Sequence, residues 1–268
     1  MGRIFDALEK HKKETTLEGG LLSSKTISEI EKNKKPPVLL SQDGCDPKLI
    51  TVTAPGSFDA ELFKVMRAQI LFPQSGKRKK SIMLTSAFPG EGKTFVAANL
   101  AVSIAQGINE HVLLVDGDFR RPNLHKMLGY SNSVGLHEYL TDKKDMADLI
   151  IHTRFDKLSF LPAGSPSHNP SELLASNEMK DFLNEVRDRY DDRLIIIDSA
   201  PVQATAEASV LSNYVDGVIL VVRSQKTPRE MVLKSVEALG RNRILGVIFN
   251  GYAKNMKRYG KYYGKYYK

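Results

Sequence analysis

The sequence predicts an α/β fold with a doubly wound, mostly parallel sheet, and three observations predict it. Apolar runs rich in Val, Ile and Leu recur along the chain, at 82–86, 111–118, 158–164, 194–200, 216–223 and 243–250. Each is near-continuous rather than alternating, as in strands covered by helices on both faces. Helical patterns separate the runs, the order expected of βαβ units rather than of a sandwich or an α+β domain. In such a sheet binding groups gather at the carboxyl ends of the strands.

The elements follow in chain order. Residues 1–47 read as an appendage, a short amphipathic helix (Ile4, Phe5, Leu8, Leu17) on a polar stretch ending in KNKKPP. The body spans 48–251. It opens with a helix over Asp59 to Leu71, in which Leu62, Val65, Met66 and Ile70 fall at helical spacing. Strand 82–86 leads into helix 93–106, and strand 111–118 into short helical pieces reaching about residue 150. Strand 158–164 precedes a Ser-capped helical region, and strand 194–200 precedes another. Strand 216–223, helix 228–240 and strand 243–250 close the body, leaving 252–268 as a flexible tail.

The bulk composition narrows the function. A body of about 200 residues buries enough surface to need no disulfide or structural metal. Cys45 is the only cysteine, so no intramolecular disulfide forms, and a reducing, cytoplasmic setting is expected. The start MGRIFDALEK lacks the apolar core of a secretory signal. No apolar run approaches a membrane span, so a partner must supply any membrane attachment. Of the net charge of +8, six positive charges lie in the tail: Lys254, Lys257, Arg258, Lys261, Lys265 and Lys268. Attraction to acidic partners thus belongs to the tail, and no nucleic-acid surface is expected on the body. The six histidines lack metal-ligand spacing and read as ordinary surface or packing residues.

Ser86 to Thr94 (SAFPGEGKT) fits a phosphate-binding P-loop, with Ala87 in place of the first glycine. Gly90 and Gly92 let the backbone turn its N–H groups toward phosphate, and the following helix adds its positive end. Pro89, Gly90, Glu91, Gly92, Lys93, Thr94 and Phe95 are therefore the candidate ATP contacts. Lys93 can reach the β- and γ-phosphates, and the Thr94 hydroxyl can ligate Mg²⁺. Asp198 ends the run LIIID, where a second magnesium-holding carboxylate belongs. Asp116 and Asp118 end VLLVDGD two residues apart, so an extended strand aims both the same way. Two carboxylates beside a triphosphate imply a metal ligand and a base; Asp118 is assigned to the metal and Asp116 to the base. Capping aspartates are the structural alternative. Arg120 and Arg121 offset the acids, touch phosphate, or lie plainly on the surface.

Together the P-loop, the VDGD strand and the IIIDSAP strand resemble the bacterial tyrosine kinases, within the deviant-Walker branch of P-loop proteins. The resemblance extends over 48–250 through ELFKVMRAQI and LPAGSPSHNPSELL. It implies a subunit-contact helix carrying Glu61, Lys64 and Arg67, with Lys64 where arginine is usual, so one planar ion pair is weakened. Ser199-Ala200-Pro201 departs conservatively from the usual Thr-Pro-Pro. It also implies an adenine contact at Asn250, and ATP and Mg²⁺ as cofactors. Phe88 stands where septum-site and chromosome-partition ATPases of the branch carry an extra lysine, which weighs against a non-kinase ATPase switch. The opening decapeptide is similar to autokinases of exopolysaccharide and exosortase loci.

Six of the ten tyrosines lie in the last seventeen residues. By resemblance Tyr259, Tyr262, Tyr263, Tyr266 and Tyr267 are phosphoacceptors, modified by neighbouring subunits of a homo-oligomeric ring. A basic aromatic tail stacking on single-stranded nucleic acid is the alternative. A scaffold that hydrolyses nothing is disfavoured by the intact set Lys93, Thr94, Asp116, Asp118 and Asp198. The resemblance further implies a membrane co-polymerase that recruits the protein to the inner face of the cell membrane, and a cognate phosphotyrosine phosphatase.

Overall fold

The structure, a computed structural model, describes residues 45–74, 76–189 and 193–252. The expected N-terminal amphipathic helix and the tail tyrosines from Tyr259 onward lie outside those residues.

Helix α1 (Ile50–Thr53) and helix α2 (Phe58–Leu71) precede the sheet. Ser57 caps α2, its Oγ accepting from the Ala60 N–H at 3.1 Å. The buried stripe of α2 runs through Ala60, Phe63 and Leu71, with Met66 and Ile70 packed against the core. Leu62 and Val65, expected on that stripe, are 44% and 53% exposed. The aromatic anchor decides the rotation: Phe63 meets Phe95 edge-on at 5.8 Å.

Strand β1 (Ser81–Ser86) enters the P-loop, and α3 (Lys93–Ala105) leaves it. There follow β2 (His111–Asp116), the short helices α4 (Leu124–Leu128), α5 (Leu136–Asp142) and α6 (Met146–Leu149), and two strands, β3 (Ile151–His152) and β4 (Leu158–Leu161). Next come α7 (Pro170–Leu174), α8 (Asn177–Arg189), β5 (Arg193–Asp198), α9 (Glu207–Leu211), β6 (Gly217–Arg223), α10 (Arg229–Leu239) and β7 (Ile244–Asn250).

The strand order is β3-β4-β2-β5-β1-β6-β7, and every pairing is parallel except β3 with β4. The edge strand β3 is only two residues long, Ile151 and His152, too short for a strand period to mark it. Helix α3 packs along one face over Ile82, Leu84, Leu114 and Ile196. The opposite core gathers Met83, Leu113, Ile195 and Ile197 under α8 residues such as Phe182. Strands β1, β2 and β5 are thus covered on both sides, which accounts for their unbroken apolar sequences. The central register sets Asp116 beside Asp198, and Asp198 beside Leu84. Three strand ends therefore converge where the P-loop begins.

Candidate active site

The P-loop turns through two left-handed glycines, Gly90 at φ +81° and Gly92 at φ +98°. At Gly92 a Cβ would also lie 2.0 Å from the Asn250 amide nitrogen, so glycine is required there twice over. Asn250 ends β7, and its Nδ2 donates to the Glu91 carbonyl at 2.8 Å. The expected adenine contact is thus also a brace beneath the phosphate loop.

Glu91 has a structural part that its place in the motif did not reveal. Its side chain turns inward, is 3% exposed, and accepts from the backbone N–H groups of Phe88 at 2.9 Å and Arg223 at 3.3 Å. The Thr227 hydroxyl donates to the same carboxylate. The loop is thereby tied to the β6–α10 connection. Nothing in a P-loop pattern distinguishes an inward glutamate from an outward one.

Lys93 lies almost buried among acids. Its Nζ is 2.8 Å from Asp118 Oδ2, 3.7 Å from Asp198 Oδ1 and 3.3 Å from the Thr94 hydroxyl. Burial pulls its pKa down, but the charges of Asp198 and Asp118 outweigh that and hold it above the ordinary lysine value. Thr94 Oγ1 donates to Asp198 Oδ2 at 2.6 Å. Burial raises the Asp198 carboxyl against the opposing pull of Lys93 and Thr94.

The expectation that Asp116 and Asp118 share one direction is corrected. Strand β2 ends at Asp116, and Gly117 turns the chain, its N–H bonding to the Asp198 carbonyl at 2.8 Å. A Cβ at Gly117 would press on that same carbonyl oxygen at 3.0 Å. Asp116 is wholly buried, with Oδ2 accepting from the N–H groups of Asn123 and Leu124 at the start of α4, each at 3.1 Å. Asp118 instead faces the cleft, bonded to Lys93 and to the Arg121 N–H at 3.0 Å.

Burial, reinforced by the charge of Asp198, pushes the Asp116 carboxyl up to about 8. An acid raised above its unfolded value of about 3.9 gives stability that is full below that value and lost as pH climbs through about 8. In nucleotide-free, metal-free protein, Asp116→Asn should therefore flatten the fall in Tm between about pH 4 and 8. The amide oxygen still accepts from Asn123 and Leu124 without bringing a charge. A gain of about 1 kcal/mol at the alkaline end, roughly 2–4 °C, is expected. Parallel fall-off of wild type and variant in thermal melts would show that Asp116 does not set this pH dependence.

These groups line an open cleft of about 1010 Å³, together with Pro89, Gly90, Phe95 and Arg120. Asp46 and Lys48 line it too, although Asp46 falls within the expected appendage, and the Asp46 N–H bonds to the Met127 carbonyl at 3.1 Å. On α2, Lys64 pairs with Glu61 at 2.5 Å and Arg67 donates to the Ser103 carbonyl at 2.7 Å.

The donor set fits magnesium. Asp198 Oδ1 is buried without a hydrogen-bond partner, beside the Thr94 hydroxyl. These are hard oxygen donors, few enough that water and phosphate complete the shell, the usual mode of Mg²⁺. Among the described residues no cluster of three or more His, Cys, Asp or Glu could hold a metal by itself.

Fold and site together define a P-loop protein of the kind that binds ATP. The family described as AAA domain matches residues 79–239. The tyrosine-protein kinase YwqD of Bacillus subtilis (strain 168) is 38% identical over 80% of this chain and 89% of its own length. Among solved structures, the kinase domain of the Escherichia coli tyrosine kinase ETK is 32% identical, with a TM-score of 0.72 over 77% of this chain and 81% of that one. The chimerical protein CapA2B2 is 33% identical, with a TM-score of 0.71 over 85% of this chain and 99% of that one. The chain belongs to the bacterial tyrosine kinase family and is a protein-tyrosine kinase. No described helix is long and apolar enough to cross a membrane.

Proposed function

We propose that this kinase transfers the γ-phosphoryl group of ATP to Tyr259, Tyr262, Tyr263, Tyr266 and Tyr267 of a neighbouring copy. The observation that carries this reading is Lys93, held at the start of α3 between the carboxylates of Asp118 and Asp198. A P-loop lysine in that position neutralises charge on a transferring phosphoryl group. Thr94 and Asp198 hold Mg²⁺, which supplies charge neutralisation across the phosphates when bound.

Geometry favours Asp118 over Asp116 as the base, and we accordingly assign Asp118 to the proton rather than, as expected, to the metal. Asp116 is sealed behind the site with its oxygens on backbone N–H groups, whereas Asp118 reaches the cleft. When Lys93 turns to phosphate, Asp118 loses its partner and is free to take a phenolic proton. Asp116 then organises the loop that carries Asp118. Asn250 and Glu91 keep the P-loop in its binding form.

A neighbour-to-neighbour reaction fits a homo-oligomeric ring in which Glu61, Lys64 and Arg67 exchange their present partners for groups of the adjacent subunit. In the cell the cycle controls exopolysaccharide polymerisation and export through a membrane co-polymerase that brings the kinase to the inner face of the membrane. A cognate phosphatase resets it. A non-kinase ATPase switch has no use for the tyrosine cluster, and Phe88 gives the P-loop no second lysine.

Intact-mass analysis of full-length protein with Mg·ATP tests the central claim. Stepwise addition of phosphate is expected, mapping to residues 252–268 and reaching no more than the number of tail tyrosines. ATP hydrolysis without any phosphate on the protein would replace the tail reading with an ATPase switch.

A further inference from the structure

We propose that Arg120 binds the phosphoryl group in transit from ATP to its acceptor, and that Glu207 is the positioning residue that aims it. The proposal rests on the kinase reading above and adds a second protein cation to it.

Arg120 follows Asp118 by two residues and lines the same cleft as Lys93 and Thr94. Its Nε donates to Glu207 Oε1 at 2.7 Å. The two ends of this pair differ sharply: the arginine side chain is 53% exposed and the glutamate side chain 0%. Only Nε of the guanidinium has a hydrogen-bond or ion-pair partner among the described residues, leaving the two terminal nitrogens as an open fork. Such a fork matches two oxygens of one phosphoryl group.

A plain staple between the β2 loop and α9 would not need this arrangement. An exposed pair does that work, and a buried carboxylate is costly to keep ionised. Apart from Arg120, Glu207 has Ser171 Oγ at 3.4 Å, and its Oε2 is buried without a hydrogen-bond partner. Thr205 Oγ1 is also buried without one, and Thr205 lines the cleft. A fixed anion behind an arginine sets the plane of the guanidinium and leaves its outer edge toward the open side. That is preorganisation for a developing charge.

In the reaction, the bond between the γ-phosphorus and the bridging oxygen of ATP breaks, and ADP leaves with those electrons. A bond forms from the phenolic oxygen of tyrosine to the same phosphorus, and the phenolic proton passes to Asp118. Charge spreads over the three equatorial oxygens, for which Lys93 alone offers one ammonium. Arg120 supplies a bidentate contact to that group, and none to ADP.

The test uses full-length protein carrying Arg120→Met, Glu207→Gln, or the double change Arg120→Met with Glu207→Met. Thermal melts report the staple; binding of ADP and of a non-hydrolysable ATP analogue reports γ-phosphate contact; phosphotyrosine formation reports kcat. Arg120→Met alone should lower Tm, because it orphans a buried acid, and the double variant should recover it. In both, kcat should fall about a hundredfold and analogue affinity about tenfold, with ADP affinity unchanged. Glu207→Gln should lower kcat about tenfold at unchanged ADP affinity. A double variant with wild-type kcat and wild-type analogue affinity would overturn the proposal and leave a structural pair. The readings separate cleanly, since analogue binding needs no acceptor: a wild type that labels no tyrosine sinks the tail assignment, while the affinities still decide Arg120.

Discussion

Lys93→Met should lower phosphotyrosine formation by about a thousandfold or more, since it removes the cation aimed at the transferring group. The structure adds a second consequence that the P-loop pattern alone does not carry. Lys93 is 9% exposed and neutralises a pocket in which Asp116, Asp118 and Asp198 are all buried. Methionine fills similar volume but leaves those acids uncompensated in a poorly solvated place. The carboxyls of Asp116 and Asp198, already raised by burial, then rise further, and the stability they cost grows as pH climbs toward their folded values. The variant should accordingly melt below wild type, by a margin that widens as pH rises through about 8. Activity must be read at a temperature where circular dichroism shows the variant folded. Ordinary autophosphorylation by folded Lys93→Met protein would end the assignment of Lys93.

The sheet and the P-loop were legible because each rests on a local rule. The Val, Ile and Leu runs read at 82–86, 111–118 and 194–200 became β1, β2 and β5, the strands covered on both faces, with β2 and β5 ending earlier, at Asp116 and Asp198. What stayed hidden depends on contacts distant in sequence. The rotation of α2 was set by Phe63 meeting Phe95, so a spacing argument through Leu62 and Val65 chose a partly wrong face. The two aspartates of VDGD were separated by Gly117, whose bond to the Asp198 carbonyl ends the strand between them. Glu207 was silent because its meaning comes from Arg120, 87 positions away. Motif residues announce themselves through spacing, whereas the residues that brace them are found only once the chain is folded.

Transfer between copies should be directly visible: Lys93→Met protein with an intact tail should acquire phosphotyrosine from active protein lacking residues 252–268. Strand β7 ends at Asn250, whose side chain is bonded to the P-loop carbonyl of Glu91, so the tail is rooted beside its own nucleotide site. Gly251, at φ +68° against the Arg223 guanidinium, and the exposed Tyr252 begin its course. Only six residues separate Tyr252 from Tyr259, the first of the proposed acceptors. A segment that short must bend sharply to return to its own cleft, where short loops are penalised most. Reaching an adjacent copy avoids the bend, and a head-to-tail arrangement closes into a ring. The rate of labelling should rise with protein concentration until the ring is saturated. Each phosphate brings about −1.5 to −2 charges, so a filled cluster outweighs the six positive charges of the tail. Phosphorylated protein should then leave the acidic site of its neighbour and sediment as a smaller species than unmodified protein. An unlabelled Lys93→Met partner, with full-length protein labelling itself at a concentration-independent rate, would place the reaction within one chain and remove the need for a ring.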